Sequence, residues 1–374
     1  MMRICRAFQN VAMILYTDAQ LAYIFAATCT TFNIYPMKLI SYYNPTDEQD
    51  HLAMVHEENF YDLQDMDWRL PGNMQLFLYG GEEAFETALE YDLMLREGKS
   101  IRARPKLLSS VQLMAPVPQP TSCRDGYAFR QHVEAARRNR KVDMIPEFDQ
   151  YPIFYFTNHN SIQGPGDIVC MPDHFKKLDF ELEVAIVINR KGRNIRAEEA
   201  DSYIAGFMIM NDMSARVLQM EEMKLNLGPA KGKDFCTVIG PWLVTPDELE
   251  SYKVPCKEGH TGNNYNLDMK CWVNGKLVSS GNMGDMDWTF AEIIERASYG
   301  VDLLPGDVIG SGTVGTGCFL ELNGTGKFND PDYEEQWLQE GDVVEMEIAG
   351  LGHLTNTIVK DESEFSILAQ KKNG

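Results

Sequence analysis

The sequence predicts a strand-rich α+β protein in which a small N-terminal domain precedes a larger domain that carries the chemistry. Three observations lead there. The chain has 374 residues, more than one typical domain of about 100–200 residues. A proline-rich stretch, Ala115-Pro-Val-Pro-Gln-Pro120, follows Pro105 and reads as a rigid extended connector. Beyond it, strand-like segments dominate without regular strand–helix alternation, which disfavours a doubly wound parallel sheet. The expected division is an extension at 1–36, a small domain at 37–110 and a catalytic domain at 111–374.

In chain order, Met37-Lys-Leu-Ile-Ser-Tyr42 reads as a first strand. Glu82–Arg96 has apolar residues at helical spacing, and His132 to about Lys141 is a second helix. Phe180–Ile188 is a strand, Ala197–Phe207 a helix, and Asp268–Val273 a strand closed by an Asn274-Gly275 hairpin turn. A helix over Thr289–Ala297 and strands over Asp307–Gly310, Cys318–Leu322 and Asp342–Ile348 complete the pattern. The sequence shows no internal repeat and no low-complexity tract.

Composition excludes several functions. A formal net charge of −21 lacks the basic footprint that nucleic acid or an anionic membrane surface demands. A small anionic substrate then needs local Arg and Lys. The eight cysteines are dispersed with no CxxC pair, so the expectation is free thiols in a reducing cytoplasm. The seven histidines show no HExxH spacing, which argues against a Cys/His zinc site. No run of about 18 apolar residues predicts a membrane-spanning helix. Residues 1–36 start basic and turn apolar, but Asp18 and Gln20 interrupt the run and Ala26-Ala-Thr is a poor cleavage site; an extension or an upstream start fits better than a targeting signal.

The chemistry concentrates in a few segments. In Leu178-Asp-Phe-Glu-Leu-Glu-Val-Ala-Ile-Val-Ile188, strand alternation puts Glu181 and Glu183 on one face with Ala185 and Val187. Taken alone, this fits a half-exposed strand with solvated glutamates. The apolar continuation of that face points instead to partial burial, where two carboxylates repel unless a cation joins them. Hard oxygen ligands suit Mg²⁺, Ca²⁺ or Mn²⁺. Asp212 follows an apolar strand and can equally cap the next turn. Arg216 and Gln219, three apart, share a face if helical. Leu227-Gly-Pro-Ala-Lys-Gly-Lys-Asp-Phe-Cys-Thr237 places Lys231, Lys233 and Thr237 on a loop, where most lysines are merely solvated. Gly310-Ser-Gly312-Thr-Val-Gly315 matches G-x-G-x-x-G, but a dinucleotide site then needs a helix, and Cys318–Leu322 reads as a strand followed by an Asn323-Gly324 turn.

Five motifs in order resemble the fumarylacetoacetate hydrolase family: R-D-x5-Q-H at Arg124–His132, L-D-F-E-L-E-V-A from Leu178, N-D-x-S-A-R-x-x-Q from Asn211, G-P-x-x-G-K-x-F-x-T from Gly228, and P-G-D-x-I-x-S-G-T from Pro305 with a Glu beyond it. The resemblance covers roughly Pro105 to Thr357. It implies a small SH3-like N-terminal domain, a fumarylacetoacetase-type mixed β-roll C-terminal domain and a homodimer. It also implies that Asp125, Glu181, Glu183 and Asp212 hold a divalent metal, with Lys233 and Thr237 on the loop lining that site. His132 corresponds to the general base and Glu321 to the carboxylate that orients it. Arg216, Gln219 and Lys233 correspond to groups that hold substrate and stabilise developing charge, and Tyr127 and Thr313 to substrate contacts. Three positions depart from the family pattern: Val217 stands where an Asp is usual, Met223 or Lys224 where a Tyr is, and Phe156, beside Tyr155, where another Tyr is.

The activity implied is hydrolysis of a C–C bond in a small anionic diketo acid of the fumarylacetoacetate or acylpyruvate kind, as in aromatic amino-acid catabolism. The metal would chelate the substrate oxygens and His132 would deprotonate water. The alternatives are an isomerase or decarboxylase of a 2-oxo dioic acid from aromatic-ring breakdown, which needs no attacking water, or a non-catalytic metal-binding protein, which turns over no diketo acid.

Overall fold

Leu182–Ile188 is buried along its whole length, and a strand with two apolar faces must be covered twice. That requirement organises the molecule. The computed structural model describes residues 37–372; the expected extension at 1–36, with Cys5 and Cys29, lies outside the described residues. In chain order the main elements are β1 (Lys38–Asn44), β2 (Gln49–His56), β3 (Asn59–Asp62), α1 (Met74–Arg96), β4 (Ser122–Gly126), α2 (Arg130–Asn139), β5 (Phe154–Thr157) and β6 (Gly166–Cys170). There follow β7 (Leu182–Ile188), β8 (Ile204–Asp212), α3 (Arg216–Met223), β9 (Thr237–Val244), β10 (Asp268–Val273), β11 (Lys276–Asn282) and α4 (Phe290–Ser298). The last are β12 (Asp307–Gly310), α5 (Phe319–Asn329), β13 (Val343–Ile348) and β14 (Gly352–Lys360).

A large sheet runs Lys106–Leu107, β3, β2, β1, β9, β8, β7, β12, β4, β5, with Ile162–Gln163 alongside β9. A second sheet runs β11, β10, β13, β14, β6. On one face of the large sheet Val184, Ile186, Phe207, Ile209, Val238 and Ile309 pack against Met269, Cys271, Met346 and Ile358 of the second sheet and Ile293 and Ile294 of α4. On the other face Ala185, Val187, Met208, Met210, Ile239 and Val308 pack with Leu39, Leu52 and Met54 and with Phe77 and Leu78 of α1. The fold is therefore the strand-rich α+β arrangement that the sequence predicts.

The boundary near residue 110 is not a break in the sheet. β1 pairs with β9 as well as with β2, so β1–β3 extend the large sheet. These pairings do not describe a separate SH3-like barrel. The proline-rich stretch is extended, as expected, but it is anchored along β1. The Met114 N–H donates to the Ser41 carbonyl at 2.9 Å, Ser41 Oγ donates to the Pro116 carbonyl at 2.8 Å, and Ala115 and Val117 are buried.

Two expected elements are corrected. The helix begun at Ala197 stops at Ala200, passes through a 3₁₀ turn at Asp201–Tyr203, and gives way to β8 at Ile204. Ile204–Phe207 are buried because the chain completes the ladder between β7 and β9 there. Residues 319–322 are helix, not strand, and Asn323-Gly324 lies inside α5. The reason is remote in sequence: the Asp179 carboxylate accepts the backbone N–H groups of Phe319 and Leu320 at 2.7 and 2.9 Å and caps the helix from another element. A helix thus does follow the glycine-rich loop, but its N-terminus is already filled by a protein carboxylate, which excludes a nucleotide phosphate there more firmly than the local pattern does. The helices expected at His132 and Thr289 hold within two residues, and the one expected at Glu82–Arg96 is the second half of a longer helix. α4 carries the Thr289/Glu292 capping box, α2 starts two residues before His132, and α1 begins at Met74 with a break at Gly81.

Candidate metal centre and active site

Four adjacent strands, β8, β7, β12 and β4, deliver the candidate residues to one end of the large sheet. β7 is antiparallel to β8 and β12, and β12 is parallel to β4, so the start of β7 meets the ends of the other three. Alternation then fixes the face. Glu183 continues the Ala185/Val187 face, Asp212 the Met208/Met210 face, and Asp125 the Cys123 face, all belonging to the core shared with α1. Glu181 sits just before β7, in the gap after the short strand Leu178–Asp179. Asp125, Glu181, Glu183 and Asp212 are all buried, and one oxygen from each lies within 4.8 Å of the others. Gly310 makes room: a Cβ there would lie 2.5 Å from Asp125 Oδ1.

The glycine-rich loop supplies donors. The Gly312 N–H donates to Asp125 Oδ1 and Glu183 Oε2 at 3.0 and 3.1 Å, and Thr313 Oγ1 donates to Glu183 Oε1 at 3.3 Å. Gly312 has φ +81° and a Cβ on it would meet the Gly126 carbonyl at 2.6 Å, so only glycine serves there. Lys233 Nζ donates to Asp212 Oδ2 at 2.6 Å and to Glu181 Oε2. Lys231, by contrast, stays at the surface beside Asp234.

Arg216, expected to grip substrate, spends its guanidinium on the protein. It donates to Asp179 Oδ2 at 2.8 Å, to Glu181 Oε1 at 2.7 Å and to Gln219 Oε1 at 3.0 Å. Its role here is to neutralise and orient carboxylates, and Gln219 serves as its partner.

Electrostatics show what the cluster lacks. Burial, and then the charge of Asp212, pushes the Asp125 carboxyl up to about 7. Burial and the neighbouring Asp125 push Glu183 well up, and burial also raises Asp212. Glu181 goes the other way: burial opposes its charge, but Lys233 and Arg216 outweigh burial and hold it well below the usual carboxylate range. Without a further cation, burial favours the protonated forms of Asp125, Glu183 and Asp212.

A divalent metal fits the residues present. The donor set is all carboxylate, the preference of a hard cation. Asp212 Oδ1 and Thr237 Oγ1 are buried without a hydrogen-bond partner, leaving acceptor capacity at the site. Asp125, Glu181, Glu183 and Asp212 would hold the ion. Thr237 pairs with Asp212 in the ladder and lines the site, as does Lys233, whose ammonium is a counter-charge and not a ligand.

The second constellation lies beside the first. His132, on α2, sets Nδ1 2.6 Å from Glu321 Oε2 on α5. The other Glu321 oxygen accepts the Thr316 N–H at 3.0 Å. The Tyr127 ring stands edge-on to His132 with centroids 5.9 Å apart. A ring nitrogen of His132 lies within 4.8 Å of a Glu181 carboxylate oxygen, which joins the dyad to the acidic cluster.

Two residues given no role from the sequence matter here. Tyr155 faces Asp125 across β4–β5, and its hydroxyl donates to Asp212 Oδ2; Phe156, at the departing family position, is exposed. Alternation along Phe154–Thr157 held the signal, because Tyr155 and Phe156 must point to opposite faces. Asp179 was legible only as a strand residue, yet it ties Arg216 to the start of α5.

The raised Asp125 carboxyl sets a sign for stability. A carboxyl whose folded pKa lies above its unfolded value of 3.8 contributes stability that is lost as pH rises through about 7. In chelator, the thermal midpoint should therefore fall between about pH 4 and 7, and saturating Mg²⁺ or Ca²⁺ should reverse the fall, since ligand at 100 times Kd stabilises by about 2.7 kcal/mol. Asp125→Asn should flatten the pH dependence and blunt the metal response; an unchanged response in that variant would remove Asp125 from the ligand set. Separately, Asp179→Ala should cost about 3–5 kcal/mol in urea unfolding, because it strands a buried guanidinium and uncaps α5. A cost below about 1 kcal/mol would deny it that role.

Residues 121–359 match the family model described as the C-terminal part of fumarylacetoacetate hydrolase. Rat mitochondrial oxaloacetate tautomerase Fahd2a is 31% identical over 329 residues, covering 86% of this chain and 92% of the relative. Human mitochondrial oxaloacetate tautomerase FAHD2A is 30% identical over 329 residues, with the same two coverages of 86% and 92%. Among solved structures, a fumarylacetoacetate hydrolase from Exiguobacterium antarcticum aligns with a TM-score of 0.62 at 24% identity, covering 87% of this chain and all of that one. A maleylpyruvate hydrolase from Sphingobium aligns at 0.61 and 21% identity, with coverage of 87% and 100%. These two likenesses speak for the fold. With the model spanning most of the chain and relatives matched over nearly their full length, this protein belongs to the fumarylacetoacetate hydrolase family.

Proposed function

We propose that this protein is a divalent-metal-dependent enzyme that interconverts the keto and enol forms of a short 2-oxo dicarboxylate of the oxaloacetate kind. The observation that carries the reading is the buried His132–Glu321 pair set against the carboxylate cluster through Glu181. The oxaloacetate tautomerases among its relatives support the substrate class.

A bound divalent cation would supply Lewis-acid polarisation of the 2-oxo group. The chain's own residues do the rest. Glu321 fixes the His132 ring through Nδ1, leaving Nε2 to take a proton from the carbon beside the carbonyl and return it to the enolate oxygen. Lys233 and Arg216 hold positive charge beside Glu181 and offset the negative charge that enolisation adds. Burial keeps bulk water from competing for those charges.

A second reading, cleavage of a C–C bond in a diketo acid, is favoured by the same dyad. Glu321-oriented His132 suits water activation as well as carbon deprotonation, and the hydrolases that share the fold keep this reading in view. The two differ in their products.

The test follows enol absorbance with oxaloacetate and with a panel of acylpyruvates in the presence of Mg²⁺, Mn²⁺ and Ca²⁺. His132→Ala should lower kcat by about 10²–10⁴-fold while keeping the metal-dependent gain in thermal stability. Wild-type turnover in that variant would sink both readings. Cleaved acids as products, with no acceleration of tautomerisation, would replace the first reading with the second.

A further inference from the structure

Cys318 is a buried thiol beside the dyad that the proposed reaction does not use. It is the residue just before α5, three positions ahead of Glu321, so one helical turn presents a thiol and the carboxylate that orients His132. Its Sγ, a ring nitrogen of His132 and a carboxylate oxygen of Glu181 lie within 4.8 Å of one another.

We propose that His132, Cys318 and Glu181 form a second cation site, one for a thiophilic divalent ion such as Zn²⁺, and that its occupation inhibits the enzyme by capturing the base. The donor chemistry separates it from the neighbouring cluster. One sulfur, one imidazole nitrogen and one carboxylate oxygen make a mixed set that tetrahedral Zn²⁺ accepts with a fourth position open, whereas Mg²⁺ and Ca²⁺ prefer all-oxygen sets. The support behind the imidazole is already in place. Glu321 engages Nδ1 at 2.6 Å, leaving Nε2 as the ligating atom, and a carboxylate behind a metal-bound imidazole orients it and strengthens its donation. Tetrahedral bonds of about 2.0–2.3 Å place donors roughly 3.3–3.8 Å apart, so the present spacing closes by a modest side-chain adjustment.

On binding, the thiol proton leaves to solvent and the thiolate, the imidazole and one carboxylate oxygen coordinate the ion, with no change of oxidation state. Glu181 already serves Arg216 and Lys233 and belongs to the neighbouring hard-cation cluster as well, so it would bridge the two ions, and His132 and Cys318 carry most of the affinity. The site itself does not depend on the reaction proposed above; only the inhibition rests on that reading.

The experiment adds Co²⁺ to the Mg²⁺-saturated protein and follows the thiolate-to-cobalt charge-transfer absorption in the near ultraviolet. The band should grow to one equivalent in the wild type and vanish in Cys318→Ser and Cys318→Ala, while both variants keep the Mg²⁺-dependent rise in thermal midpoint. Half-inhibition by Zn²⁺ should need about tenfold or more ion in the same variants. Cadmium NMR of the wild-type protein, which separates a thiolate-ligated ion from an all-oxygen one, decides the matter if the variants do not fold. No thiolate signal in the wild type, or a band that survives in both variants, overturns the site. A band without Zn²⁺ inhibition leaves the site standing and overturns the capture of the base.

Discussion

The repulsion among buried carboxylates at one end of the large sheet is the constraint to which the rest of the site answers. Asp125, Glu181, Glu183 and Asp212 converge where solvent cannot screen them. Lys233 and Arg216 neutralise part of that charge, both of them at Glu181, and the Gly312 N–H and the Tyr155 and Thr313 hydroxyls share the remaining load. The result is asymmetric. Glu181 stays ionised, while Asp125 and Glu183 are pushed up. A hard cation would supply the missing charge, and Asp125 and Glu183 are the carboxyls that would release protons to receive it.

The sheet makes this arrangement possible. Both faces of β7 are covered, one by the second sheet and α4 and the other by α1 and the β1–β3 run, so the strand ends are held by packing on two sides. Rigid strands position a donor set more precisely than loops do. The loop elements that take part, Gly310–Thr313 and the segment ending in Lys233, are tied back to the strand carboxylates by hydrogen bonds of their own.

Asp179 links the two halves of the site. One carboxylate oxygen takes the Arg216 guanidinium and the pair together takes the first N–H groups of α5. Arg216 then reaches Glu181, and α5 carries Glu321 to His132. Glu181 and Glu321 are thereby linked through one buried residue. The same helix start brings Cys318 to the dyad, which gives the centre a softer donor beside its hard ones.

Much of this was legible in the sequence. Alternation along Glu181–Val187 put the glutamates on an apolar face, and ordered motifs pointed to Asp125, His132, Asp212, Lys233 and Glu321 before any contact was known. Period-two and period-3.6 patterns are local, and local patterns survive in one dimension. Tertiary structure alone decided the rest. Residues 319–322 became helix because an aspartate some 140 positions earlier caps them, Ile204–Phe207 became strand because a gap in a ladder awaited them, and Arg216 became a clamp because two carboxylates reached it first. β1–β3 and Lys106–Leu107 joined the large sheet because β1 found β9. The sequence determined which side chains are candidates for the chemistry and, for those on strands, which face they occupy. Their pairing was settled only in three dimensions, because hydrogen bonds and charges act through space, and spacing along the chain does not record them.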